Sequence, residues 1–207
     1  MIRNILIVED NKEFSFAAQE YFRSLGITPS PAIDYDDAKT CFEYSKLDAG
    51  IVDCFFPYKT GTNTISVGQQ IVHKMKHELD YKSSPVSRAL VQVGNLLGEE
   101  FAKKAAENVK VKYDSAVDHF WAMEQAMKRN EDNQPLGVLV AEELEKRNIP
   151  FVLATSTYHH DVLTQPIQDY CSKRGWQLID CNPNNEHEKA TPEFWERCYN
   201  SLEIRLK

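Results

Sequence analysis

Three short apolar runs in this chain each end abruptly on oxygen-bearing side chains. Ala49 to Val52 ends on Asp53 and is stopped four residues later by Pro57. Asn4-Ile5-Leu6-Ile7-Val8 ends on Glu9-Asp10, and Pro150-Phe151-Val152-Leu153-Ala154 ends on Thr155-Ser156. Carboxylates brought within a few ångströms repel one another, and one would take up a proton unless a cation intervened. Oxygen ligands with no suitably placed His or Cys favour Mg²⁺ over zinc. A carboxylate beside such an ion can attack phosphorus, and a hydroxyl on a neighbouring strand can donate to a phosphoryl oxygen. Each residue also has a plainer use, since an aspartate in this position can simply cap or turn the chain.

These side chains share a site only if the three runs are strands of one parallel sheet. Buried parallel strands read as continuous apolar runs, and ligands bind beyond their carboxyl ends. The intervening segments fit that arrangement. After Asn11, a helical stretch carries Phe14, Ala17, Ala18, Tyr21, Phe22 and Leu25 on one face and stops at Gly26. Ile27 to Ile33, interrupted by Pro29 and Pro31, reads as an edge strand. The pattern predicts helices over Asp36 to Lys46, Leu136 to Asn148 and Asp161 to Lys173, a short strand over Trp176 to Ile179, and a final helix opening at Thr191-Pro192-Glu193. Strands alternating with helices predict a doubly wound α/β sheet.

The alternation lapses between Tyr58 and Asn133, where three helical patterns and no strand are found. The first, capped at Ser66, carries Val67, Ile71, Met75 and Leu79; the second, opening at Ser84-Pro85, should turn Leu90, Val93, Leu97 and Phe101 inward. The third carries Tyr113, Ala116, Val117, Phe120, Met123 and Met127. Residues 58–134 are thus expected to form a helical insertion resting on a domain made of 1–57 and 135–207. His73 and His77 have a metal-binding spacing, but no third ligand accompanies them, and a solvated polar face is the expectation.

A net charge of -7 over 207 residues argues against nucleic acid or an anionic membrane as partner. No apolar run reaches the length of about 18 residues that a membrane span needs, and nothing at the N-terminus resembles a signal peptide. Five scattered cysteines without a C-x-x-C pair suit a reducing compartment, so a cytoplasmic protein with buried thiols is expected.

The three strand-end motifs, in this order, resemble the core motifs of response-regulator receiver domains. The turn Pro135-Leu136-Gly137 resembles the one that normally follows the phosphoacceptor loop closely, displaced here by the helical insertion. The resemblance implies a flavodoxin-like five-stranded sheet in the order 2-1-3-4-5. It implies that Asp53 accepts a phosphoryl group from a histidine kinase, a phosphotransfer protein or a small phosphodonor. Glu9, Asp10, Asp53 and the carbonyl of Phe55 would hold Mg²⁺; Thr155, Ser156 and Asn182 would face the phosphoryl oxygens, with Thr155 moving onto them in the active state. Receivers carry Lys-Pro where this chain has Asn182-Pro183, and an aromatic switch residue where it has Ile179. Asparagine can donate a hydrogen bond but supplies no charge; Lys59, His159 and His160 are candidates to replace it. A degenerate receiver acting as a constitutive interaction module is the alternative. A Mg²⁺-dependent phosphohydrolase is a third, weakened because Phe55 stands where a second acid is needed. In the first two readings the helical insertion is a candidate surface for an output protein.

Overall fold

The computed structural model describes residues 1–62, 64–82, 85–108, 118–130, 134–157, 163–183 and 185–205. Strands β1 (Asn4–Val8), β2 (Thr28–Ala32), β3 (Ala49–Asp53), β4 (Phe151–Thr155) and β5 (Leu178–Asp180) form one parallel sheet in the order β2-β1-β3-β4-β5. This is the α/β, flavodoxin-like arrangement expected. All five residues of β3 and of β4 are buried, because helices cover both faces. Pro29 and Pro31 fall on edge strand β2. Thr28 bonds inward to Arg3, so the two prolines, one residue out of phase, turn their missing N–H groups away from the ladder.

The side-chain alternation of the strands divides the core in two. Ile5, Ile7, Ile51 and Val152 pack with α1 (Lys12–Ser24) and α9 (Pro192–Arg205). Leu6, Val8, Val52 and Leu153 face the other way, toward α2 (Tyr35–Tyr44), α7 (Gly137–Lys146) and α8 (Gln165–Arg174). Leu25 lies just past the end of α1 and is exposed.

The segment between β3 and α7 contains α3 (Ile65–Glu78), α4 (Pro85–Leu97), α5 (Glu99–Asn108) and α6 (His119–Arg129). Two of these helices belong to the sheet's core: Ile71, Val72 and Met75 of α3, and Phe120, Met123 and Met127 of α6, join the cluster that contains Val52 and Leu153. The other two stand outside it. The expected inward row of Leu90, Val93, Leu97 and Phe101 does not form. Gly98, at φ +94°, breaks the run into two helices and puts Phe101 on the second, while Leu97, the last residue of the first, is left uncovered. Leu90 is buried, Val93 half-buried, and Leu97 and Phe101 are 61% and 60% exposed. Ser66 lies inside α3, which begins after Thr64 rather than at a serine cap. Ser84, Tyr113, Ala116 and Val117 lie outside the described residues.

His73 and His77 are exposed on α3. Cys54, Cys171, Cys181 and Cys198 are buried and in no disulfide, and Cys41, also in none, is partly buried. Among the described residues, no helix is long and apolar enough to cross a membrane.

Candidate functional site

Strand register decides which side chains meet at the carboxyl rim of the sheet. Val8 is paired with Val52, so the next residues, Glu9 and Asp53, leave the ladder side by side. Asp53 is paired with Ala154, one residue before Thr155. Carboxylate oxygens of Glu9, Asp10 and Asp53 lie within 4.8 Å of one another, and no other such cluster occurs among the described residues. They open into a cleft of about 320 Å³ whose walls include Phe55, Thr155, Ser156 and Thr157. Six of the seven residues expected at the site therefore line one cleft: Glu9, Asp10, Asp53, Phe55, Thr155 and Ser156.

Asn182 is the seventh and does not line it. Its backbone N–H and Nδ2 donate to Glu188 at 2.8 and 2.9 Å, so its amide is committed elsewhere. Lys59 is exposed and pairs with Asp36 at 3.7 Å. His159 and His160 fall outside the described residues. Ile179, in the switch position, packs half-buried against the α1 side of the core.

The positive charge comes from a residue that sequence reasoning passed over. Lys189, 0% exposed, places Nζ 2.5 Å from Glu9 Oε2 and 3.2 Å from Asp53 Oδ1. It arrives from a short 3₁₀ turn, Glu186–Ala190, whose setting is fixed by two clamps. Glu188 is held by Asn182 and by Arg197, while the indole N–H of Trp195 donates to the Lys189 carbonyl at 2.7 Å. The Phe14 ring lies 5.8 Å from the ammonium. In sequence this segment reads as a polar loop, and the only hint of its role is that it is tied closely to the start of the last helix.

Electrostatics follow from burial. Desolvation pushes the Glu9 carboxyl from 4.5 up to about 8, with Lys189 opposing the rise and Asp53 adding to it. Asp53 is also raised by desolvation, against Lys189 and the N–H groups of Cys54 and Phe55. The Cys54 N–H donates to Asp53 Oδ1 at 2.7 Å. Burial pulls Lys189 down, but the two carboxylates outweigh it and the ammonium is held strongly protonated.

No protein-family model matches the chain, and no curated protein matches it either. The geometry therefore has to carry the chemistry. A cation bound here would draw the protons off the raised carboxyls, and with all three ionised the group, counted with one ammonium, carries a charge of -2. A divalent cation would neutralise that sum. Its donor set would be all oxygen, and Glu9 Oε2 is buried with its lysine contact lacking hydrogen-bond geometry. Such a donor set could hold a hard divalent ion.

Gly137 sets how close the returning chain comes. A Cβ on this residue would lie 2.2 Å from the Asp53 carbonyl oxygen, and its N–H donates to the Cys54 carbonyl at 3.2 Å. The turn Pro135-Leu136-Gly137 thus lies directly against the loop after β3, although some eighty residues separate them in sequence. Phe56 bridges to Pro135, and its N–H donates to the Gln134 carbonyl at 3.2 Å. The insertion leaves and returns at one neck, immediately beneath Asp53.

Proposed function

We propose that this chain is an atypical receiver that accepts a phosphoryl group on Asp53 and signals through protein contacts. The observation that carries the reading is the convergence of Glu9, Asp10, Asp53 and buried Lys189 at the carboxyl rim of a 2-1-3-4-5 sheet. In the transfer, an Asp53 carboxylate oxygen attacks phosphorus. The bond from phosphorus to the donor breaks, the leaving group keeps that electron pair, and Asp53 becomes an acyl phosphate. Bound Mg²⁺, held by Glu9, Asp10, Asp53 and the Phe55 carbonyl, would supply neutralisation of the phosphoryl oxygens. Lys189 keeps a fixed positive charge beside Asp53 Oδ1, the part that Asn182 cannot play. Thr155 supplies a hydroxyl donor from the neighbouring strand. The donor would be a histidine kinase, a phosphotransfer protein or a small acyl phosphate, and the output would be a protein that docks on the helical insertion.

A second reading, a degenerate receiver serving as a constitutive module, is favoured by one feature. Lys189 already pairs with Glu9 and Asp53, so the pocket is partly neutralised without any ligand. Incubation with Mg²⁺ and acetyl phosphate followed by intact-mass measurement separates the two. A phosphoryl adduct that disappears in Asp53→Asn supports the acceptor; a bare wild-type mass despite Mg²⁺ binding would exclude it.

A further inference from the structure

Thr155 is the first of three hydroxyls in series. Its Oγ1 lies 2.8 Å from Thr157 Oγ1 and accepts a hydrogen bond from the Thr157 N–H at 3.3 Å. Thr157 Oγ1 in turn meets Thr164 Oγ1. Thr155 and Thr164 are buried, while Thr157 lines the cleft. Thr164 stands at the N-cap of α8, where a threonine hydroxyl ordinarily accepts from the first helix amides. Here it makes no cap hydrogen bond and is turned to Thr157 instead. The helix forgoes a cap, and the hydroxyl series is what it gains.

Each hydroxyl has one proton to donate and lone pairs with which to accept. Each contact needs one donor, and Thr157, in the middle, has only one proton to give. If Thr155 donates into the cleft, Thr157 must donate to Thr155 and Thr164 to Thr157. An anion on Asp53 selects this sense, and hydrogen bonds in series strengthen one another. In the opposite sense the Thr155 proton is spent on Thr157 and none faces the cleft.

We propose that Thr157 and Thr164 are positioning residues for Thr155, fixing its oxygen and aiming its proton at a phosphoryl oxygen on Asp53. The proposal rests on the acceptor reading above, because it needs an anion on Asp53. Neither residue touches the phosphoryl group in this scheme; both act through Thr155.

The test is the rate at which Asp53 is phosphorylated by acetyl phosphate with Mg²⁺, measured for wild type, Thr155→Val, Thr157→Val, Thr164→Val and Thr157→Ser. Losing one net hydrogen bond to the aimed hydroxyl should slow Thr157→Val by roughly tenfold and Thr164→Val by less. Thr157→Ser restores a hydroxyl and should recover most of the rate, which a merely structural role would not predict. Thr155→Val combined with Thr157→Val should be no slower than Thr155→Val alone, as expected for residues acting as a unit. Mg²⁺ affinity should be the same in all, because no hydroxyl is a ligand. A Thr157→Val rate equal to wild type would overturn the proposal, as would a further slowing of Thr155→Val by the second change. A wild type that takes no phosphoryl group at all would overturn the acceptor reading and this one with it, a result distinct from either of those.

Discussion

The rim of the sheet and the outer face of the insertion break the same rule in opposite directions. At the rim, Glu9, Asp53 and Lys189 are ionisable and buried; on α4 and α5, Leu96, Leu97 and Phe101 are large, apolar and exposed, Leu96 by 82%. Ordinary packing puts these types the other way round. Each region meets its cost differently. The rim pairs its charges, because an unpaired buried ion is expensive. The insertion leaves apolar side chains in water, which in monomeric proteins marks a surface meant for something else. The two regions are also connected, since the insertion is hung from a neck formed by Phe56, Gln134 and Pro135 beneath Asp53. What the contrast teaches is where stability and function should separate: changes at the rim should cost both, and changes on the outer face only the second.

The sharpest way to break that contrast is Lys189→Met. Removing one member of a buried charge group costs roughly 3–5 kcal/mol, because the partners stay buried without compensation. The loss should depend on pH. Glu9 is raised on folding from 4.5 to about 8, so its protonated form contributes stability that is full below 4.5 and is lost as the pH rises through about 8. Lys189 is the group that holds this rise down. Without it the folded state clings to its protons further, and the stability gap between variant and wild type should widen from about pH 5 to about pH 8. Urea melts in a chelator at both pH values measure it, and added Mg²⁺ should recover part of the loss at the higher one. A gap of equal size at both would mean that Glu9 does not feel Lys189.

How much of this could be read from the chain alone differs between the same two regions. The acid cluster was readable because β1, β3 and β4 are continuous apolar runs, and a strand's last residue is fixed once its run is seen. Lys189 was not. It lies in Glu186-His187-Glu188-Lys189-Ala190, and no pattern along a polar segment says that one lysine turns inward. Its direction comes from Glu188, Arg197 and Trp195, side chains brought together only by the fold. Asn182 misled for the matching reason: a strand-end position predicts the rim, but not which neighbour will claim the amide. In the insertion, helical periodicity correctly marked the apolar stripe of α3 and, of the third stripe, its described part, Phe120, Met123 and Met127 on α6. It could not say which stripe would find the sheet, nor that Gly98 would end α4 and put Phe101 on a separate helix.

Two changes sharpen the contrast at intermediate size. Met123→Ala lies in the insertion yet should behave like a core truncation, costing roughly 2–5 kcal/mol, because Met123 is fully buried in the cluster shared with the sheet. A cost near zero would detach α6 from the sheet. Gly137→Ala should cost about 1–3 kcal/mol by overpacking. Its Cβ would meet backbone atoms, the Asp53 carbonyl oxygen at 2.2 Å and Cys54 Cα at 2.9 Å, which cannot swing aside as a side chain could. The chain at Asp53 must move, so Mg²⁺ affinity should fall as well as the melting midpoint. Stability lost with metal binding intact would show that the carboxylates are positioned independently of this turn.

The smallest expected effect carries the most information about the outer face. Leu96→Ser and Phe101→Ser together should shift stability by no more than about 0.5 kcal/mol each, the range for surface positions without special contacts. The same pair should lower the binding of an apolar fluorescent dye to the folded protein, because these side chains supply much of the uncovered apolar area on α4 and α5. The two readouts must diverge for the contrast to hold. If the double variant loses 2 kcal/mol or more, a cost typical of truncating a buried side chain, then Leu96 and Phe101 are covered in solution. The outer face would then be an extension of the core, and the insertion would have no free surface with which to report on Asp53.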